Sequence, residues 1–308
     1  MKKVFIDGSA GTTGLRIYER LSAREDIELL TLSEELRKDP TARKQMLDQA
    51  DLAFLCLPDD AAREAVALTE NPNTVIIDAS TAHRTLPDWA YGFPELSPAH
   101  EQKILSSKRI AVPGCHASGF IALVYPLIEA GLLEENALLT CHSITGYSGG
   151  GKKMIADYES ENRAKLLDAP RQYGITQQHK HLKEMKGITG LKTPPVFCPI
   201  VSDFYSGMTV TVPLFAQQVK GTLAQIKALY AEKYHGEIVQ YKESVDENGF
   251  VSGLALGGKD GMWITATGNE ERILLIACYD NLGKGASGAA IQCMNMVLGV
   301  DKTKGLVL

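Results

Sequence analysis

Cys115 stands in the run Ala111-Val112-Pro113-Gly114-Cys115-His116-Ala117-Ser118-Gly119, directly after a strand-like segment, Arg109-Ile110-Ala111-Val112. Pro113-Gly114 turns the chain, and the apolar stretch from Ala117 to Leu133 reads as a helix. A thiol so placed sits at a helix N-terminus, where unpaired amides and the positive end of the macrodipole favour the thiolate, the form that attacks carbon. Most cysteines are instead small buried hydrophobes. That description fits Cys56, Cys141, Cys198, Cys278 and Cys293, which lie in apolar or strand-like runs without such a turn.

Two of the seven histidines fall in Tyr173-Gly174-Ile175-Thr176-Gln177-Gln178-His179-Lys180-His181-Leu182-Lys183-Glu184. An imidazole titrating near neutrality can move protons, and a carboxylate such as Glu184 can fix its tautomer. His179, His181 and Glu184 also have a metal-ligand reading, because residues two apart share a strand face and residues three apart share a helix face. In isolation the segment reads first as the polar, solvated start of a helix; a nucleophile elsewhere brings the acid/base reading forward.

Gly146-Tyr147-Ser148-Gly149-Gly150-Gly151-Lys152-Lys153 approaches a phosphate loop but has Lys153 where a magnesium-binding hydroxyl is needed, which argues against an ATPase. Its amides and lysines still suit a substrate phosphate or carboxylate, with Ser148 and Lys152 as candidates. Asp78-Ala79-Ser80-Thr81-Ala82-His83-Arg84 closes a strand with hydroxyls and an arginine able to grip an anion through two parallel hydrogen bonds. Read alone, Arg84 is an exposed loop residue.

These groups need a frame. Val4–Asp7 reads as a buried strand, Gly8-Ser9-Ala10-Gly11-Thr12-Thr13-Gly14 as a glycine turn and Leu15–Leu21 as a helix, the order a dinucleotide site requires. Gly8, Ser9, Gly11, Thr12, Thr13 and Gly14 are therefore candidates to hold a pyrophosphate. Strands at 27–32, 52–57 and 75–78 alternate with helices at 34–49 and 60–68, which predicts a parallel sheet covered on both faces. After the second strand, Ser33 and Arg37-Lys38 suit a 2′-phosphate whereas Glu34 and Glu35 do not, so NAD and NADP both stay open with a lean toward NADP. Beyond Cys115 the pattern shifts to strands with longer loops, including 137–145, 209–213 and 273–279, which reads as a second, α+β domain. The glycine-opened helix 289–298 is expected to return to the first domain.

The chain's 308 residues suggest two domains, and 44% hydrophobic with 22% charged residues is ordinary for a soluble globular protein. A net charge of −5 gives no reason to expect nucleic acid or an anionic membrane as partner. No apolar run is long enough to span a bilayer, and Met1-Lys2-Lys3-Val4 leads into a strand and not a signal peptide. Six cysteines without a CxxC pair suit a reduced compartment, which makes the cytosol the default location.

Together these motifs resemble the N-acetyl-gamma-glutamyl-phosphate reductases, in their shorter form, within the wider superfamily of the aspartate-semialdehyde dehydrogenases. The resemblance covers nearly the whole chain: the glycine loop, Asp78 to Arg84, the Pro113-Gly114-Cys115 turn, Tyr173 to Glu184, and Asp280-Asn281-Leu282-Gly283-Lys284-Gly285-Ala286-Ser287-Gly288. It implies an α/β fold with a Rossmann-type domain over residues 1–114 and 284–308, and an α+β catalytic and oligomerisation domain over 115–283. It also implies NADPH-dependent reduction of N-acetyl-L-glutamyl 5-phosphate to the 5-semialdehyde in arginine biosynthesis, with release of inorganic phosphate. Cys115 would form a thioester. His181 would be the acid/base, supported by His179 and Glu184, with the order of the two histidines left open. Arg84 and Tyr173 would line the substrate site and Asn281 would lie near the nicotinamide. No metal is implied, and the assembly would be a homodimer or homotetramer. The nearest alternative is aspartate-semialdehyde dehydrogenase, which handles a free amine where this reading has an acetylated one. His116 is a departure, since many relatives would have tyrosine or asparagine there. It is expected to cap the helix, because a residue just after the nucleophile points away from it.

Overall fold

Strand β1 (Lys2–Asp7) buries both of its faces: Val4 and Ile6 join one apolar cluster and Phe5 another. A strand covered on both sides belongs inside a parallel sheet. The computed structural model describes residues 1–308 and divides into two units, Met1–Pro113 with Ala286–Leu306, and Gly114–Gly285 with Val307–Leu308.

In the first unit β1 is followed by α1 (Thr12–Leu21), β2 (Ile27–Leu30), α2 (Pro40–Gln49), β3 (Leu52–Leu55), α3 (Asp59–Leu68), β4 (Val75–Asp78), β5 (Ala90–Tyr91), α4 (Pro98–Ser106) and β6 (Arg109–Ala111). The six strands are all parallel, in the order β2-β1-β3-β4-β6-β5. Ile17 and Leu21 of α1 and Ile104 of α4 pack on one face, and Leu47 of α2 with Ala62 and Ala65 of α3 on the other. Each fully buried Val, Leu or Ile contributes ~1.5–3 kcal/mol. That exceeds the ~0.5 kcal/mol by which ordinary residues differ in helix propensity, so a mostly polar helix such as α2 is held by Leu47 and by the buried Arg43–Asp7 ion pair.

The helix expected from Glu34 begins only at Pro40. Asp39 accepts a hydrogen bond from the Ala42 amide at 2.7 Å and Pro40 occupies the first helical position, a stronger start signal than the charged residues before it. Residues 33–38 form exposed turns instead.

The second unit contains α5 (Cys115–Glu129), β7 (Thr140–Gly146), α6 (Gly151–Glu159), β8 (Arg171–Gln172), α7 (His181–Thr189), β9 (Val196–Ser202), β10 (Met208–Phe215), α8 (Leu223–Lys233), β11 (Val239–Tyr241), β12 (Met262–Gly268) and β13 (Arg272–Tyr279). Its seven-stranded mixed sheet runs β11-β12-β13-β10-β7-β9-β8. Helix α5 lies on β10 and β13, α8 on β12, and α7 against α5. The register places Ile144, Val196, Phe215 and Leu274 on the opposite face, where all four are exposed. Helix α9 (Gly288–Val297) follows and is buried in the first unit, with Ile291 and Met294 in the core that holds Val4. No helix is long and apolar enough to cross a membrane.

Candidate active site

Helix α5 starts earlier than the apolar pattern implies, and this puts Cys115 at its first helical position. Gly114 is the N-cap, extended at φ −75° and ψ 144°; no side chain caps the helix and its first turn holds no acid. The first-turn amides therefore keep their positive field for the thiol. Cys115 is partly exposed, whereas burial pushes Cys56 up to about 12 and Cys278 up to about 11, and raises Cys141 strongly as well. Those three remain inert thiols at neutral pH. The six cysteines form no disulfide.

Two side chains distant in sequence hold the turn. Glu184 Oε1 accepts from the Gly114 amide at 2.8 Å, and the Tyr279 hydroxyl donates to the Cys115 carbonyl at 2.5 Å while accepting from the Gly119 amide at 3.0 Å. The polar spelling of Tyr173 to Glu184 conceals real burial: His181 is 6% exposed and Glu184 2%, so the segment is not the solvated helix start it suggests in isolation. The cause is tertiary, since α7 packs on α5.

The structure brings His116 together with His179 and His181. Ring centroids lie 5.9 Å apart for His116–His179, 5.7 Å for His116–His181 and 4.7 Å for His179–His181. His179 Nδ1 accepts from the His181 amide at 3.2 Å, which places the proton of its neutral ring on Nε2. Burial and the neighbouring Lys180 charge lower the pKa of His179. Burial, with a smaller effect of His179, pulls His116 down to about 3. His116 is not the expected cap. Its buried ring bonds the Ser143 hydroxyl through Nδ1 and the Tyr173 hydroxyl through Nε2, because α5 turns it toward β7 and the loop before α7. Burial, then the charge of Cys115, raises Tyr173 and keeps it a phenol. No group of His, Cys, Asp or Glu side chains is arranged to hold a metal ion.

Behind the thiol, Asp280 Oδ1 accepts from the Leu282 and Gly283 amides, and Oδ2 from the Ser206 hydroxyl and the Gly258 amide. This web fixes Asn281, whose Oδ1 accepts from the Gly207 amide at 2.9 Å and whose Nδ2 donates to the Ser148 hydroxyl at 3.0 Å. Ser148 is thus buried, while Lys152 in α6 is exposed.

In the first unit, Gly8 takes φ +87°, and a Cβ there would lie 2.4 Å from the Cys56 carbonyl oxygen; one on Gly14 would lie 2.3 Å from the Gly8 oxygen. Only glycine allows this compact loop. Gly11 caps α1 without a side-chain bond, and no acid stands in the first turn, so the amides of Thr12, Thr13 and Gly14 suit an anion. This cradle fits a dinucleotide pyrophosphate. Ser33 and Arg37 lie in the exposed turn after β2, and Arg37 reaches Glu34 at 3.3 Å. Arg84 is 8% exposed, not a loose loop residue: Nε donates to the Val112 carbonyl at 2.8 Å and Nη2 to that of Ala79 at 3.0 Å. Beside it Asp78 accepts from Ser80 and bonds His83 Nδ1 at 2.6 Å.

Sequence reasoning missed Tyr279 and Ser143. Both read as ordinary strand residues; the one local signal was Gly119, a glycine inside an apolar helical pattern.

Comparison with known proteins identifies the family. Residues 115–281 match the family model "Semialdehyde dehydrogenase, dimerisation domain" and residues 33–104 match "Semialdehyde dehydrogenase, NAD binding domain". The chain is 43% identical to the N-acetyl-gamma-glutamyl-phosphate reductase of Trichormus variabilis, with 99% of each chain covered. It is 45% identical to that of Brucella ovis over 96% of this chain and 99% of the other. The aspartate semialdehyde dehydrogenase II of Vibrio cholerae shares the fold, with a TM-score of 0.73 at 17% identity over 97% of this chain and 99% of that one. The chain belongs to the N-acetyl-gamma-glutamyl-phosphate reductase family, built from the two semialdehyde dehydrogenase domains.

Proposed function

We propose that the chain reduces N-acetyl-L-glutamyl 5-phosphate to N-acetyl-L-glutamate 5-semialdehyde with NADPH, releasing phosphate through a thioester on Cys115, as a step of arginine biosynthesis. The observation that carries this reading is the partly exposed thiol at the uncapped start of α5, beside a cluster of imidazoles. His181 takes the thiol proton, the thiolate adds to the acyl carbon, and the carbon–oxygen bond to phosphate breaks with its electron pair leaving on phosphate, which accepts the proton from His181. NADPH, when bound, supplies the hydride that reduces the thioester carbon. The carbon–sulfur bond then breaks, the carbonyl reforms, and Cys115 leaves as thiolate; one solvent proton closes the balance.

His179 is a donor through Nε2 and Glu184 positions the Gly114 amide. Tyr173, Lys152 and Ser148 are assigned to the substrate. Arg84 is assigned to the loop that meets the substrate, which it ties to the ends of β4 and β6. Gly8, Ser9, Gly11, Thr12, Thr13 and Gly14 hold the pyrophosphate, and Ser33 with Arg37 the 2′-phosphate that distinguishes NADP. Asn281, engaged at both amide ends, frames the nicotinamide side through the loop it holds. The open sheet face of Ile144, Val196, Phe215 and Leu274 is assigned to a second copy of this chain, in a homodimer or homotetramer, because this domain matches a dimerisation model. A cytoplasmic location suits a chain whose cysteines form no disulfide.

The test is NADP reduction with N-acetyl-glutamate semialdehyde and phosphate, set against aspartate semialdehyde. Phosphate-dependent turnover of the acetylated aldehyde alone is expected. Turnover of only the free-amine aldehyde would overturn the substrate assignment.

A further inference from the structure

Ser143, His116 and Tyr173 form a chain of three hydrogen-bonding groups, with Ser143 Oγ 2.6 Å from His116 Nδ1 and the Tyr173 hydroxyl 2.5 Å from Nε2. A neutral imidazole has one donor and one acceptor nitrogen, so the chain has two directions. In the first, Tyr173 donates to Nε2 and Nδ1–H donates to Ser143. The proton of a fully buried serine hydroxyl then meets no acceptor, since Oγ has no other hydrogen bond. In the second, Ser143 donates to Nδ1 and Nε2–H donates to the Tyr173 oxygen. Only the Tyr173 proton is then left over, on a half-buried residue near enough to Cys115 to feel its charge. Buried donors are satisfied in native proteins, which selects the second direction.

We propose that Ser143 and His116 are positioning residues that make Tyr173 an obligatory hydrogen-bond donor to the acyl oxygen as Cys115 attacks and that oxygen gains charge. The proposal rests on the acyl-transfer reading above. His116 suits the task because it stays neutral at working pH: a protonated ring would compete with Ser143 for its place as donor. Donors aimed at developing charge lower the barrier, not the substrate's ground-state energy.

Long-range proton–nitrogen NMR of full-length protein with nitrogen-15 histidine, at pH 7 and without substrate, reads the tautomer directly. The His116 signals are assigned by their loss in His116→Gln. An Nε2–H tautomer is expected; an Nδ1–H tautomer overturns the proposal, and neither outcome depends on which substrate the enzyme accepts. Kinetics then test the role. Tyr173→Phe is expected to lower kcat by ~10²-fold with KM nearly unchanged. Its rate of alkylation at Cys115 stays near that of the parent. Ser143→Ala is expected to lower kcat in the same sense, with Ser143→Thr restoring it. A raised KM with unchanged kcat in Tyr173→Phe would make Tyr173 a ground-state contact and defeat the proposal.

Discussion

The Tyr279 hydroxyl stands where a side chain of Gly119 would be: a Cβ on Gly119 would lie 2.7 Å from it and 2.8 Å from the ring's Cε1. That hydroxyl bridges the Gly119 amide and the Cys115 carbonyl, which are helical i, i+4 partners. A phenol from β13 is therefore spliced into the turn that begins with Cys115.

Gly119→Ala forces the new methyl into the Tyr279 ring and the Val210 side chain. It should destabilise the protein by ~1–3 kcal/mol and shift the start of α5. Urea unfolding gives the first quantity, and the alkylation rate of Cys115 reports the second. Parent values for both would mean the turn relaxes without consequence.

His116 links stability to pH. Its folded pKa of about 3 lies below the unfolded value near 6.5, so the unfolded state binds the extra proton between those limits. Stability from this group is full above pH 6.5 and is lost as pH falls, at up to ~1.4 kcal/mol per unit, until about pH 3. His179 is shifted in the same direction. Urea midpoints followed from pH 7 to pH 4 should fall less steeply in His116→Gln than in the parent. Parallel curves would remove His116 from the linkage.

Cys115→Ala should abolish turnover yet bind NADPH with nearly parental affinity, because the glycine loop belongs to the other unit. Fluorescence titration of NADPH decides this, and loss of binding in the variant would count against the division of labour.

Gly14→Ala should do the reverse. Its Cβ would strike the Gly8 carbonyl oxygen at 2.3 Å, so the loop must open and NADPH affinity should fall at least ~10-fold, about 1.4 kcal/mol. Alkylation of Cys115 is the control that should not move.

Arg84→Ala removes a buried guanidinium from two carbonyls, and hydrogen bonds from charged donors contribute ~1.5–3 kcal/mol each. Stability should drop by about 3 kcal/mol in urea unfolding, alongside any rise in substrate KM. A raised KM with unchanged stability would assign Arg84 to gripping the substrate alone.

The parallel α/β half was legible because its code is local: a continuous apolar run buries both faces of β1, and strand, glycine loop and helix follow one another without interruption. Cys115 was legible for the same reason, since a proline-glycine turn before an apolar helix defines the thiol's field by itself. The sequence alone could not place His116, whose ring direction depends on β7 and the loop before α7, nor choose between His179 and His181. In the fold one amide, that of His181, meets one nitrogen of His179 and sets that ring's tautomer. Tyr279, Ser143 and the bond from Gly114 to Glu184 join residues 164, 27 and 70 positions from their partners. Such contacts leave no periodic trace, because they form only when packed elements exclude water and leave each buried donor with one acceptor in reach.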